Sequence, residues 1–303
     1  MTTQPDEHAL LHDVGAVRVD RDVIEVRGPD TLWFLQGQLS QDIQGLTPGQ
    51  GAWSFLLQPQ GHVVAWFRAT RLADDHVLLD VDAGWAPTVL ERLERYRLRT
   101  KVELTAATWS VVAVRGPRTS DALADADPAV IVASAEWPGV DGVDLLAEDT
   151  RMPHGVRECS SGALEAVRIA AGVPAMGAEL TDDVIPAEAL VVERSVSFTK
   201  GCYTGQELVA RVDSRGSNTP RRLRGLVIDA GAGEVGVGDE LRAPELTGDD
   251  TVGVLTSVVW SPLRDASIAL AYVKRAVDPS EASVAAVVGS ARHPATIRTL
   301  PLR

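Results

Sequence analysis

A chain of 303 residues, 45% hydrophobic and 23% charged, carries enough apolar material for two or three folded domains and has an ordinary globular composition. Its formal net charge of −13 excludes a general polyanion surface, because phosphate contacts need a positive field, so neither direct nucleic-acid binding nor an anionic membrane is expected. Cys159 and Cys202 are the only cysteines, too few for a disulfide framework or a four-thiolate metal site, and no metal is expected.

The start, MTTQPDEHALLHD, lacks a basic region followed by an apolar core, and no apolar run approaches ~18 residues, so a cytoplasmic protein is expected. The polar leader is expected to be disordered to about His12. Val17 to Val26 alternates as a strand, and RGPDT breaks it, with Asp30 and Thr31 available to cap a helix carrying Leu32, Leu35 and Leu39. AWSFLLQ and HVVAWFRATRL flank Pro59 to Gly61 as a hairpin, and Val77 to Asp82 is a further strand. Trp85 to Leu98 places Ala86, Val89, Leu90, Leu93 and Tyr96 at helical spacing, predicting an amphipathic helix on the sheet.

The strand, Gly-Pro turn and helix pattern returns at Val112, where VAVRGPRTSDAL repeats VIEVRGPDTLWFL with Gly116 in the place of Gly28, as a duplication would leave it. Ala129 to Ala135 and Val143 to Ala147 read as strands, and Ser161 opens a helix that ends at Gly172. An irregular stretch around Pro186 then delivers the chain to Phe198. PRRLR, Pro220 to Arg224, reads as the solvated start of a strand. From Leu223 six short alternating strands with turn residues between them predict a small antiparallel barrel, with no helix signalled. The expected fold is α+β: a first ferredoxin-like lobe over 13–108, a second over 109–222 that can interleave with it, and a C-terminal barrel over 223–303.

The densest chemistry lies in TKGCYTGQELVAR, Thr199 to Arg211. Gly201 and Gly205 bracket Cys202 and Tyr203, predicting a turn before a short helix. A helix start and Lys200 nearby favour the thiolate of Cys202. Of 29 Lys and Arg residues only Lys101, Lys200 and Lys274 are lysine, so an ammonium inside this segment reads as chosen for a property Arg lacks. The alternative is that Cys202 is a small buried residue between glycines.

KGCYTGQE followed by Arg211 resembles the signature of the YgfZ family, folate-binding proteins related to the glycine-cleavage T-protein (aminomethyltransferase). The similarity runs from Val23 to Ile43, through Val167 to Pro186, and to Gly253 to Arg275. It implies a three-domain protein with a central tetrahydrofolate site and a C-terminal barrel. It also implies a role in the assembly or repair of iron-sulfur enzymes, including tRNA-modifying ones, with the motif cysteine the residue most tied to activity. Lys200, Gly201, Tyr203, Gly205, Gln206, Glu207 and Arg211 carry over with Cys202.

In T-protein relatives the helix before the motif reads RxEAG, and its glutamate holds the pterin. Here the segment is RIAAG from Arg168 to Gly172, and Ala170 cannot accept those hydrogen bonds. Another carboxylate substitutes, folate binds weakly, or the ligand differs. Asp82, Arg168 and Glu188 are the candidate cofactor contacts. Glu207 and Arg211, four apart, either pair on one helix face or meet substrate. Two functions stand: a monomeric folate-binding accessory protein acting on iron-sulfur client enzymes, not a turnover enzyme, or a tetrahydrofolate-dependent one-carbon transferase of the T-protein type. A binding module that has lost its chemistry is the third.

Overall fold

The computed structural model describes residues 3–124, 126–229, 235–277, 279 and 283–302. Disorder to His12 does not hold: helix α1 (Gln4–His12) begins at Thr3, whose hydroxyl accepts from Asp6 N. The polar residues that read as solvated are its docking contacts. Asp6 accepts from Ser160 N and pairs with Arg157, and Glu7, fully buried, accepts from Ser261 Oγ at 2.6 Å and Leu263 N at 3.2 Å.

The first sheet is antiparallel in the order β3-β4-β5-β2-β6, built from β2 (Arg21–Arg27), β3 (Gly51–Leu57), β4 (Val63–Ala73), β5 (His76–Asp82) and β6 (Glu103–Ala107). Helices α2 (Thr31–Gln38) and α3 (Ala86–Glu94) connect its strands. Helix α3 buries Ala86, Val89 and Leu93 as its spacing predicts, but it ends at Glu94, so Tyr96 lies beyond it and is exposed. The second sheet runs β10-β1-β7-β9-β8, from β1 (Gly15–Val19), β7 (Ser110–Arg115), β8 (Ile131–Ser134), β9 (Gly142–Ala147) and β10 (Arg157–Glu158). Thus β1 and β2, neighbours in the chain, lie in different sheets, and β1 pairs antiparallel with β7.

The repeat extends to backbone detail. Gly28 and Gly116 have φ of 131° and 119°, and a Cβ on either would fall 2.2 or 2.3 Å from a carbonyl oxygen, that of Lys101 or of Asp13. Each turn then starts a helix, α2 after Gly28 and α4 (Thr119–Ala122) after Gly116.

Helix α5 (Ser161–Ala171) is capped by Ser160, one residue before the expected Ser161, and ends at Gly172 in the left-handed region. Its apolar face joins a core that runs from the first sheet to Leu223, Leu270 and Tyr272. Short helices α6 (Val192–Ser195) and α7 (Gln206–Ser214) bracket the motif. The remaining strands are β11 (Arg221–Ile228), β12 (Glu240–Arg242), β13 (Thr251–Ser261), β14 (Ala266–Lys274), β15 (Val284–Val288) and β16 (His293–Arg298). They close an antiparallel barrel in the order β11-β14-β13-β12-β15-β16. One unsignalled helical turn, α8 (Pro244–Thr247), interrupts it. Nor is PRRLR a solvated strand start: Arg224 is buried, and Arg221 pairs with Glu188 and Asp183. Among the described residues no helix is long and apolar enough to cross a membrane.

Candidate functional site

Lys200 fixes the motif in place. Its ammonium donates to Gln36 O at 2.6 Å, Leu39 O at 2.5 Å and Gln41 O at 3.1 Å, using all three N–H groups on the carbonyl end of α2. Burial pulls its pKa down to about 8, with Asp42 opposing. The same ammonium stands 5.1 Å from the Tyr203 ring centroid. Arg could not enter such a three-carbonyl socket as a point charge, which accounts for a lysine in an arginine-rich chain. Directing every ammonium proton to a carbonyl gives Lys200 a positioning role in the loop.

Cys202 is exposed, so the reading of a small buried residue is set aside. It lies four residues before Gln206, the first residue of α7, so the first-turn amides of that helix serve a different turn. The thiol lines a cleft of ≈ 350 Å³ with Trp33, Gln36, Tyr96, Leu98 and Gly201. Cys159, by contrast, is buried beside α1, and burial, with Asp6 adding to it and Arg157 opposing, pushes its thiol up to about 11.

Two further motif residues, Gly205 and Gln206, hold the backbone of the turn. Gly205 has φ 85° and packs on the β3–β4 turn, where a Cβ would meet Gln58 O at 2.6 Å. Gln206 Oε1 accepts from Tyr203 N. Tyr203 is buried, its hydroxyl has no hydrogen-bond partner among the described residues, and burial raises its pKa to about 12. Glu207 and Arg211 are both exposed on α7, and among the described ion pairs none joins them.

A second site lies between the sheets, a cavity of ≈ 210 Å³ lined by residues of both, by α5 and by the segment after it. Its walls hold a buried chain of charges. Arg21 pairs with Asp80 and Asp82, and Arg68 grips Asp80 at 3.0 Å and Asp144 at 2.9 Å. Arg115 holds the other oxygen of Asp144 at 2.9 Å. Asp80 and Arg68 stand on the first sheet, Asp144 and Arg115 on the second, so this chain of charges joins the lobes. Burial alone would raise Asp144; Arg115, Arg68 and Arg21 outweigh it and hold the carboxyl far below the usual range. Trp53 and Trp66 stack at 4.1 Å, and Arg115 lies over Trp137 at 4.3 Å.

Of the candidate contacts, Asp82 and Arg168 both reach this cavity and Glu188 does not. Asp82 accepts from Arg21 and from Met176 N. Arg168 is held by Glu165, Glu179 and Ser257. Glu188 is buried against Arg221, joining the loop to the barrel. Ala170 is also elsewhere: the cavity face of α5 is Ser161, Leu164, Glu165 and Arg168, whereas Ala170 is packed in the core and its carbonyl accepts from Leu302 N. A glutamate there would be driven into apolar packing.

The lining fits a pterin in kind. Trp137 and Trp53 line it, the second already stacked on Trp66, each oxygen of Asp82 and Glu165 already accepts one hydrogen bond from the protein, and the buried Nε of Arg115 has no hydrogen-bond partner among the described residues. At ≈ 210 Å³ the space is below the roughly 300–1,000 Å³ of a typical ligand pocket, enough for a bicyclic ring but not for an attached chain.

Neither the charge chain nor the cleft wall was foreseen from sequence. The signal for the first was present: Arg68, Asp80, Arg115 and Asp144 each interrupt apolar runs at positions facing inward. The cleft wall, from α2 and residues 96–100, carried no such mark.

Known proteins bear this out for the architecture. Residues 6–152 match the GCVT N-terminal domain and residues 221–302 the glycine cleavage T-protein C-terminal barrel domain. The structure superposes on the glycine cleavage system aminomethyltransferase T from Bartonella henselae with a TM-score of 0.81 and 22% identity, over 99% of this chain and 89% of that one. An uncharacterized protein of Haemophilus influenzae is 29% identical over 199 residues, 65% of this chain and 67% of that protein. The class so defined is the aminomethyltransferase T-protein fold, α+β with a closed six-stranded barrel. Both domains of that architecture are matched in this chain.

Proposed function

We propose that this chain is a folate-binding accessory protein of the YgfZ kind, a cytoplasmic monomer that supports assembly or repair of iron-sulfur enzymes through Cys202. The observation that carries the reading is a division of labour: the ring-sized cavity and the thiol cleft share no lining residue. A group held in the cavity and a protein met at Cys202 are then separate events, as in an accessory factor. Of the four wall carboxylates, Asp82, Asp144 and Glu165 are each committed to an arginine, which leaves Asp20, exposed and without a described ion pair, as the one candidate acid or base for a one-carbon transferase.

Tetrahydrofolate would be held by its pterin in this cavity, with Trp137 in the wall and Arg115 Nε as a donor, and would supply one-carbon carrying capacity. Calorimetry with tetrahydrofolate tests this half: saturable heat that is lost in Trp137→Ala supports it, and no heat at millimolar ligand removes folate from the account. The client half is tested by iron-sulfur enzyme activity in cells lacking the protein.

A further inference from the structure

The cleft beside Cys202 differs in charge from the molecule around it. Residues 92–101, RLERYRLRTK, hold five basic side chains against one acid in a chain whose net charge is −13. The basic residues divide into two sets. Arg92 stacks 4.5 Å from the Tyr96 ring centroid, donates to its hydroxyl and reaches Leu57 O, while Arg97 ties to Glu94 and Val102 O. These two brace the segment. Arg95, Arg99 and Lys101 are exposed, and among the described interactions none of their side chains has a partner. Each stands one residue from a cleft wall made by Tyr96, Leu98 and Thr100. The cleft is open, with Leu98 82% and Trp33 67% exposed as its apolar faces, and Gln36, Gln38, Gln44 and Thr100 are among its other lining residues.

Resting on the reading of Cys202 as the thiol that meets client proteins, we propose that this cleft docks an acidic polypeptide segment with an apolar anchor. Leu98, Trp33 and Tyr96 take the anchor, and Arg95, Arg99 and Lys101 take the flanking carboxylates. A partner so held lies against Cys202. The charge geometry selects a short segment: the −13 chain repels an extended polyanion, while a few carboxylates brought within a Debye length of about 8–10 Å experience the local cations. The braced backbone lowers the ordering entropy of binding.

The test is fluorescence anisotropy on Cys202→Ser protein, with a fluorescein-labelled peptide in which glutamates flank one Leu-Phe pair. Saturable binding is expected, weakened about tenfold or more in Arg95→Glu/Lys101→Glu and in Leu98→Asp. A peptide with lysines for the glutamates, and a single-stranded RNA of the same length, are expected to bind at least about tenfold more weakly. Equal affinity of wild-type and charge-reversed cleft, RNA binding tighter than the acidic peptide, or no saturation at millimolar protein overturns the proposal. So does sedimentation that finds a dimer dispersed by Leu98→Asp, because the cleft is then covered by a second copy. Lost peptide binding with intact Cys202-dependent rescue refutes the docking alone. Rescue by Cys202→Ser with intact peptide binding refutes the thiol reading alone.

Discussion

Gly205 of the motif and Gly61 of the β3–β4 turn meet backbone to backbone: a Cβ on Gly205 would lie 3.3 Å from Gly61 Cα, and one on Gly61 would lie 2.7 Å from Leu208 Cβ. With φ at 85° and 84°, both positions are closed to a side chain on two counts. Gly205→Ala is expected to destabilise by about 1–3 kcal/mol in urea unfolding. Gly201→Ala, whose Cβ meets nothing within 4 Å, is expected to stay within about 0.5 kcal/mol of wild type. Equal effects at the two glycines would contradict the clamp.

Lys200→Met keeps most of the stem but strips three carbonyls, in the last turn of α2 and just after it, of their donor. A loss of about 1–3 kcal/mol is expected, with Cys202 labelled faster as the loop is released. Unchanged stability would show that water replaces the ammonium without loss.

The chain of charges between the sheets predicts the acid behaviour. The folded-state pKa of Asp144 is depressed below the ordinary ~3.9, so between the two values the unfolded chain binds more protons. Stability from this group is complete above ~4 and is lost as pH falls through the folded value. Asp144→Ala leaves Arg115 and part of Arg68 uncompensated and is expected to lose about 3–5 kcal/mol at neutral pH, with a flatter acid limb in the unfolding titration. An acid limb as steep as that of wild type would assign the effect to other carboxylates.

Much of the architecture was legible because it obeys local rules. The apolar runs GAWSFLL and VVAWFRATRLA around a Gly turn, the six strands of the barrel and the repeated Gly-Pro turn all express themselves within a dozen residues. The motif was legible in its local form, a turn before a short helix, and opaque where it depends on distant partners. Nothing near Lys200 in sequence announces Gln36 O, 164 residues away. Ala170 was read on its identity, but the face of α5 it occupies is set by Leu302 and the core, which only the assembled barrel reveals. The leader failed for the same reason, since Glu7 finds Ser261 across 254 residues.

The two thiols should separate cleanly. Cys202 is exposed, and Cys159 is buried with its pKa at about 11, so titration with an aromatic disulfide at pH 7.5 is expected to report one fast thiol, and a second only on unfolding. Loss of the fast phase in Cys202→Ser identifies it. Two thiols reacting at one rate would contradict the burial of Cys159 or the openness of the cleft.

The most direct measurement is iron-sulfur enzyme activity in cells lacking the protein, complemented by wild type or Cys202→Ser at matched protein level, together with the melting temperature of each. Because the thiol is exposed, the account predicts equal melting within about a degree and no rescue by the serine variant. Full rescue by Cys202→Ser, or a melting point several degrees lower with rescue that merely follows protein level, would contradict it.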